Sequence, residues 1–240
     1  MPHVLVVSPH LDDAVLGCTH RLASGAHVVT VFAGAPRDVG SAPWDRLTGA
    51  RSPTDRHAER LAEDSAAMTH VPVTTERWDF LDGQYRPGVA ADVDAIAERL
   101  APLMSPATEV WVTAGVGHAD HAAARRAAAR AATAAGIASI TLYADVPHAI
   151  PYGWPASVTG AAAPPHLDAD AWLEDQLAEA GLDARALTAH VVHLDDATRA
   201  LKQQLLDCYP SQLPALALTH EHVRADPTLL SFELAWTHSL

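Results

Sequence analysis

Short apolar runs alternate with stretches of helical period along most of this chain. Val4-Leu5-Val6-Val7 is a run of the kind that fills a buried parallel strand, and Ala14–Ala23 reads as the helix after it. The same alternation continues with a strand at Ala26–Phe32, a helix at Asp55–Thr69, a strand at Thr74–Phe80 and a helix at Val89–Met104. A strand at Glu109–Thr113, an Ala-rich helix at Ala122–Ala135 and a strand at Ser139–Tyr143 come next. An added strand at Ala189–Leu194, a helix at Asp195–Tyr209 and a final strand at Leu230–Trp236 complete the order. This pattern predicts an α/β, Rossmann-like fold: a mostly parallel sheet with helices on both faces and ligands bound at the strand C-terminal ends.

Two stretches break the rhythm, at about 34–55 and 145–168. The first carries Pro, Gly, Asp and Arg with little periodicity; the second carries His148, Tyr152, Trp154 and several prolines. Long irregular segments in a compact domain are often binding loops, although plain surface excursions are the rival reading. Aromatic side chains there suit stacking on sugar faces.

Composition narrows the classes. A length of 240 residues suits one α/β domain, taken as 1–240. The formal charge of −13 argues against nucleic acid or an anionic membrane as partner, since phosphate binding needs clustered Lys and Arg. The two cysteines, Cys18 and Cys208, read as small buried hydrophobes rather than a disulfide. Val4–Val7 is too short for a signal-peptide core or a membrane span, so the expectation is a soluble cytoplasmic protein. Heavy use of Ala, Arg and Pro fits a GC-rich bacterial genome and tailoring of natural products or envelope glycosides.

Chemistry concentrates in two turns. Ser8-Pro9-His10-Leu11-Asp12-Asp13 lies between the first strand and the first helix, and Gly117-His118-Ala119-Asp120-His121 follows the strand at 109–113. Both turns belong to one edge of the sheet, and together they supply the imidazoles and carboxylates of a catalytic zinc site: three ligands plus acid/base groups. His10 and Asp13 can point at one ion, leaving Asp12 free to face a water. For either turn alone the rival reading is helix capping, since Asp-Asp before a helix commonly caps it and complements its dipole.

These residues resemble the PIG-L/LmbE superfamily of zinc-dependent N-deacetylases, in the branch that reads Ser-Pro-His-Leu-Asp-Asp-Ala. The resemblance extends over Phe32-Ala33-Gly34, Trp44-Asp45, Arg60-Leu61-Ala62-Glu63-Asp64, Phe80 to Arg86, Tyr143-Ala144-Asp145-Val146-Pro147 and Tyr209-Pro210-Ser211-Gln212. Ala14 departs from it, standing where many members carry Glu. The resemblance implies that His10, Asp13 and His121 bind zinc, with ferrous iron the alternative. It implies that Asp12 is the general base and that His118, oriented by Asp120, donates to the oxyanion or the leaving amine; on physical grounds an imidazolium held by a carboxylate suits that task, and if charged it also stabilises the oxyanion. Arg60, Asp82, Trp44 and His148 are then expected to contact an N-acyl amino sugar or glycoside.

Other functions are an amidase acting on a non-sugar N-acyl metabolite or a thiol-sugar conjugate, and a metal-dependent phosphoesterase. The latter usually adds a second metal or a basic phosphate clamp. A binding-only carbohydrate module would be expected to lose Asp12 or His118 first, and both are present.

Overall fold

The structure, a computed structural model, describes residues 3–37, 39–40, 42–106, 108–148, 169–213 and 230–240. Seven strands form one sheet: β1 (His3–Ser8), β2 (His27–Thr30), β3 (Thr74–Arg77), β4 (Thr108–Thr113), β5 (Ser139–Tyr143), β6 (Leu187–His193) and β7 (Phe232–Ser239), in the order β3-β2-β1-β4-β5-β7-β6. Pairings from β3 through β5 are parallel, and β7 runs antiparallel to both β5 and β6. The predicted α/β fold with a mostly parallel sheet is the fold found.

The period of two along β1 divides the core. Leu5 and Val7 face one layer, with Ile96 and Leu100 of α4 (Val93–Leu100) and the alanine ridge Ala123, Ala127 and Ala131 of α5 (Ala119–Ala134). Val6 faces the other, with Val15 and Leu22 of α1 (Asp13–Ser24), Met68 of α3 (Pro53–Met68) and Leu205 of a later helix, α7 (Asp196–Leu206). Small side chains bring α5 close to the sheet. At the turn into it Gly115 has φ 87°, and a Cβ there would lie 2.8 Å from Ala122 Cα.

Several boundaries differ from the periodicity for identifiable reasons. The helix expected from Val89 begins at Val93, because Asp92 caps it by accepting from the Ala95 amide, and it tightens into a 3₁₀ turn at Ala101–Leu103 around Pro102. The third strand stops at Arg77, after which Asp79 meets Phe32 in an isolated bridge. The irregular segment from 34 contains a short helix, α2 (Pro43–Leu47), which opens with proline in its first turn and is tied down by the Tyr85 hydroxyl donating to Asp45 Oδ1 at 3.0 Å. A further helix, α6 (Ala169–Glu179), was not foreseen. Of the second irregular segment, Asp145–His148 is described, while Tyr152 and Trp154 lie outside the described residues. Cys18 is fully buried and Cys208 half-buried, and both are free thiols. Among the described residues no helix is long and apolar enough to cross a membrane.

Candidate metal centre and active site

β1 and β4 are adjacent and parallel, so the turns leaving their C-terminal ends are neighbours. From the first turn come His10, Asp12 and Asp13, all buried. Asp12 occupies the N-cap position of α1 yet makes no capping bond. Ser8 does that work: its hydroxyl donates to the His10 carbonyl (2.6 Å) and accepts from the Ala14 amide (3.2 Å). Asp13 Oδ2 accepts from the His10 amide at 2.8 Å, which closes the turn.

The second turn is built differently. His118 is the N-cap of α5, in extended backbone, and its Nδ1 accepts from the Asp120 amide at 3.2 Å. That bond leaves the ring proton of a neutral His118 on Nε2. His121 lies one helical turn on, with ring centroids 4.6 Å apart.

Three side-chain atoms converge at the floor. His10 Nδ1, Asp13 Oδ2 and His121 Nε2 are mutually 3.2 Å apart. Ligand atoms about 2.0–2.1 Å from a tetrahedral zinc are about 3.3–3.4 Å from one another, so this triangle has the size of three corners of such a site. The remaining nitrogens face carboxylates: His121 Nδ1 lies 2.8 Å from Asp145 Oδ1, and His10 Nε2 lies 3.3 Å from Asp120 Oδ2. A carboxylate on the far nitrogen fixes the tautomer and turns the other lone pair inward, as metal-binding histidines require. His118 also brings a ring nitrogen within 4.8 Å of ligand atoms on His10 and His121. On the far side of His10, a group formed with Asp82 and Asp120 is less suited to a cation, because both Asp120 oxygens are already engaged.

Burial would lower the His121 pKa, but Asp13 and Asp145 overcome it and lift the ring to about 9. His10 is likewise raised against burial by Asp82 and Asp13. Burial pushes the Asp13 carboxyl up, yet the His121 charge and the hydrogen bonds from both histidines hold it well below its ordinary value. Asp12 goes the other way: burial raises it, with the Arg60 guanidinium opposing. Burial, reinforced by the charges of His10 and His121, lowers His118 to about 3. These influences disfavour the imidazolium form expected at His118.

Asp120 meets the His118 ring through its backbone amide rather than its carboxylate. Its carboxylate makes no bond to the His118 ring; Oδ2 accepts from the Gly83 amide at 2.7 Å and Oδ1 pairs with Arg86. Residues two apart on a helix do not face each other, so Asp120 points behind His10 while His118 points into the cleft.

A cavity of about 580 Å³ opens above the triangle, within the range of about 300–1,000 Å³ for small-molecule sites. It is lined by His10, Asp12, Asp13, Trp44, Arg60, Asp82, His118, His121 and His148 among others, so nine of the ten residues singled out from sequence share it. Asp120 is buried, against His10 Nε2. Arg60 reaches from α3 to Asp82 (3.3 Å) and lies 3.8 Å from Asp12, while its Nε has no partner among the described residues. Trp44 Nε1 donates to Gln212 Oε1 at 2.9 Å, joining α2 to the segment after α7 at one wall. Leu16, Val89, Ala90, Val146 and Pro147 make other parts of the lining apolar.

Asp145, Gly83 and Arg86 were missed as site residues. Asp145 also accepts from the amides of Gly115 (3.0 Å) and Val116 (3.0 Å), and so holds the whole second turn. All three fall within segments that carry the family resemblance, the one signal that could have flagged them.

The family model described as GlcNAc-PI de-N-acetylase (PIG-L) matches residues 5–132. The chain is similar to the zinc-inhibited form of the teicoplanin deacetylase Orf2, with 25% identity, TM-score 0.68, and 98% of this chain and 97% of that one covered. It is similar to the A40926 pseudoaglycone deacetylase Dbv21 at 26% identity and TM-score 0.69, with coverage of 98% and 96%. A deacetylase–teicoplanin complex from the teicoplanin biosynthesis pathway matches at 25% identity and TM-score 0.69, with coverage of 99% and 98%. No curated protein matches.

Proposed function

The chain belongs to the PIG-L (GlcNAc-PI de-N-acetylase) family, and on that premise we propose that it is a metal-dependent N-deacetylase acting on an amino sugar carried by a larger glycosylated small molecule. The observation that carries this reading is the 3.2 Å triangle of His10, Asp13 and His121 at the floor of a sugar-sized cavity. Those three residues would hold a divalent cation, zinc first. Bound there, it would polarise an amide carbonyl and acidify a water.

Asp12, unused by the helix it precedes and raised by burial, takes the proton of the attacking water. Neutral His118, with its proton on Nε2, donates a hydrogen bond to the oxygen on which negative charge develops. As the C–N bond breaks, Asp12 returns its proton to the leaving nitrogen, giving a free amine and a carboxylic acid that then ionises, its proton passing to the amine or to solvent. Arg60, in the cavity lining, holds Asp12 and Asp82 in place. Trp44 and His148, in the wall, are suited to packing against the sugar or its aglycone. The aglycone-bearing substrate is favoured over a free sugar by similarity to deacetylases of glycopeptide antibiotics along nearly the whole chain.

The test is metal content of the purified protein together with acetate release from N-acetylglucosaminyl glycosides, before and after chelation and zinc return. About one zinc per chain and chelator-sensitive release support the reading. Release indifferent to chelation overturns it.

A further inference from the structure

The two histidines of the triangle draw their supporting carboxylates from different places. Asp145, behind His121, is held by backbone amides of the second turn. Asp120, behind His10, sits on the helix of the opposite turn, 110 residues away in sequence, and is held by a third segment altogether. We propose that Asp120 is the positioning residue of His10: it accepts the Nε2 proton, presents Nδ1 to the metal, and thereby links the two turns. The inference rests on the metal reading above and departs from the His118-directed role that the family resemblance implied for the carboxylate.

Three observations support it. The carboxylate is 1% exposed, and both of its oxygens are committed: Oδ1 to Arg86, Oδ2 to the Gly83 amide (2.7 Å) and to His10 (3.3 Å). Arg86 is itself pinned, donating from Nε to the Leu81 carbonyl (2.9 Å) and from Nη1 to the Val89 carbonyl (2.6 Å). The segment from Leu81 to Val89 is thus a brace whose one cationic arm fixes Asp120. The competing carboxylate, Asp82, is farther from His10 Nε2, at 4.0 Å, and is shared with Arg60 and Gln84.

Gly83 supplies the third observation. A Cβ there would meet Asp120 Oδ2 at 3.1 Å and Oδ1 at 3.3 Å, and Gly83 is not among the glycines with positive φ. The absence of a side chain at 83 is therefore a matter of room for the carboxylate, not of backbone conformation. Gly83→Ala displaces Asp120 by a few tenths of an ångström without changing any charge.

The experiment is zinc affinity, read by competition with a chromophoric chelator, on apo protein of the wild type, D120N and G83A, with the apo thermal midpoint as a check on folding. D120N is expected to bind zinc about 10- to 100-fold more weakly and G83A about tenfold more weakly, both with apo midpoints near that of the wild type. Wild-type zinc affinity in D120N, with turnover alone reduced, would return Asp120 to His118 or the substrate and overturn the inference. If D120N lowers the apo midpoint, G83A decides: unchanged affinity there sinks the proposal. A wild-type protein that binds no zinc defeats the metal reading itself, a separate outcome.

Discussion

The two turns that build the site look alike in sequence and differ in how they treat the helix that follows. In the β1–α1 turn the N-cap residue, Asp12, makes no capping bond, because Ser8 reaches across from the strand end to serve the Ala14 amide. In the β4–α5 turn the N-cap residue, His118, does cap, and its Nδ1 is spent on the Asp120 amide. The backbones differ accordingly: the second turn needs left-handed glycines at 115 (φ 87°) and 117 (φ 71°), whereas Asp12 is in a near-helical conformation. Freeing a side chain from capping leaves it able to change protonation state during a reaction. Tying one down fixes its tautomer and makes it a stationary donor. In the proposed mechanism one turn would therefore supply the mobile proton and the other the fixed dipole.

The comparison breaks first at Asp12. Asp12→Asn keeps shape and should keep the metal while lowering turnover by about 10²–10⁴-fold, measured as acetate release at matched zinc content. Metal loss on the same scale as in His121→Ala would show that Asp12 is a ligand instead. At His118 the cap and the donor can be separated. Asn caps as well as histidine but lacks Nε2–H, so His118→Asn should lower turnover by about 10² and leave the melting temperature unchanged. His118→Ala should in addition destabilise the protein by about 1 kcal/mol. Activity preserved in the Asn variant would remove His118 from the chemistry.

A smaller effect per step comes from pH. His121 is lifted to about 9, so its ring carries a proton at pH 7 in the metal-free protein, and a cation must displace it. Apparent zinc affinity should therefore fall by about tenfold for each unit below pH 9, with proton release visible by calorimetry in buffers of different ionisation enthalpy. Affinity flat from pH 6 to 9 would contradict the protonated resting state. The smallest change is expected at Ser8. Ser8→Ala orphans the Ala14 amide, costs about 1 kcal/mol of stability and draws Asp12 toward capping, so turnover should fall with zinc retained. Unaltered turnover would mean that Asp12 does not depend on being spared.

Much of this was legible before folding. Apolar runs with a period of two and helical stretches between them are local properties, and they placed the strands and most helices within a few residues. His10, Asp12, Asp13, His118 and His121 were legible because strand C-terminal ends of a parallel sheet share one edge, so two motifs far apart in sequence must meet. Helix geometry could have cautioned against pairing the Asp120 carboxylate with the His118 ring, since side chains two apart diverge. Nothing local could have shown Asp145 behind His121, Gly83 and Arg86 around Asp120, or Trp44 bonded to Gln212, because each pairing joins segments whose proximity exists only once the chain is folded.

By itself, then, the sequence determined the fold class and the edge of the sheet where chemistry gathers, which follow from periodicity and residue type, while the family resemblance named the further groups that face the cleft. Tertiary structure decided what each of those groups is free to do. Whether a carboxylate at a helix N-terminus caps, braces a histidine or carries a proton depends on which donors surround it, and for Asp12, Asp120 and Asp145 those donors come from other parts of the chain.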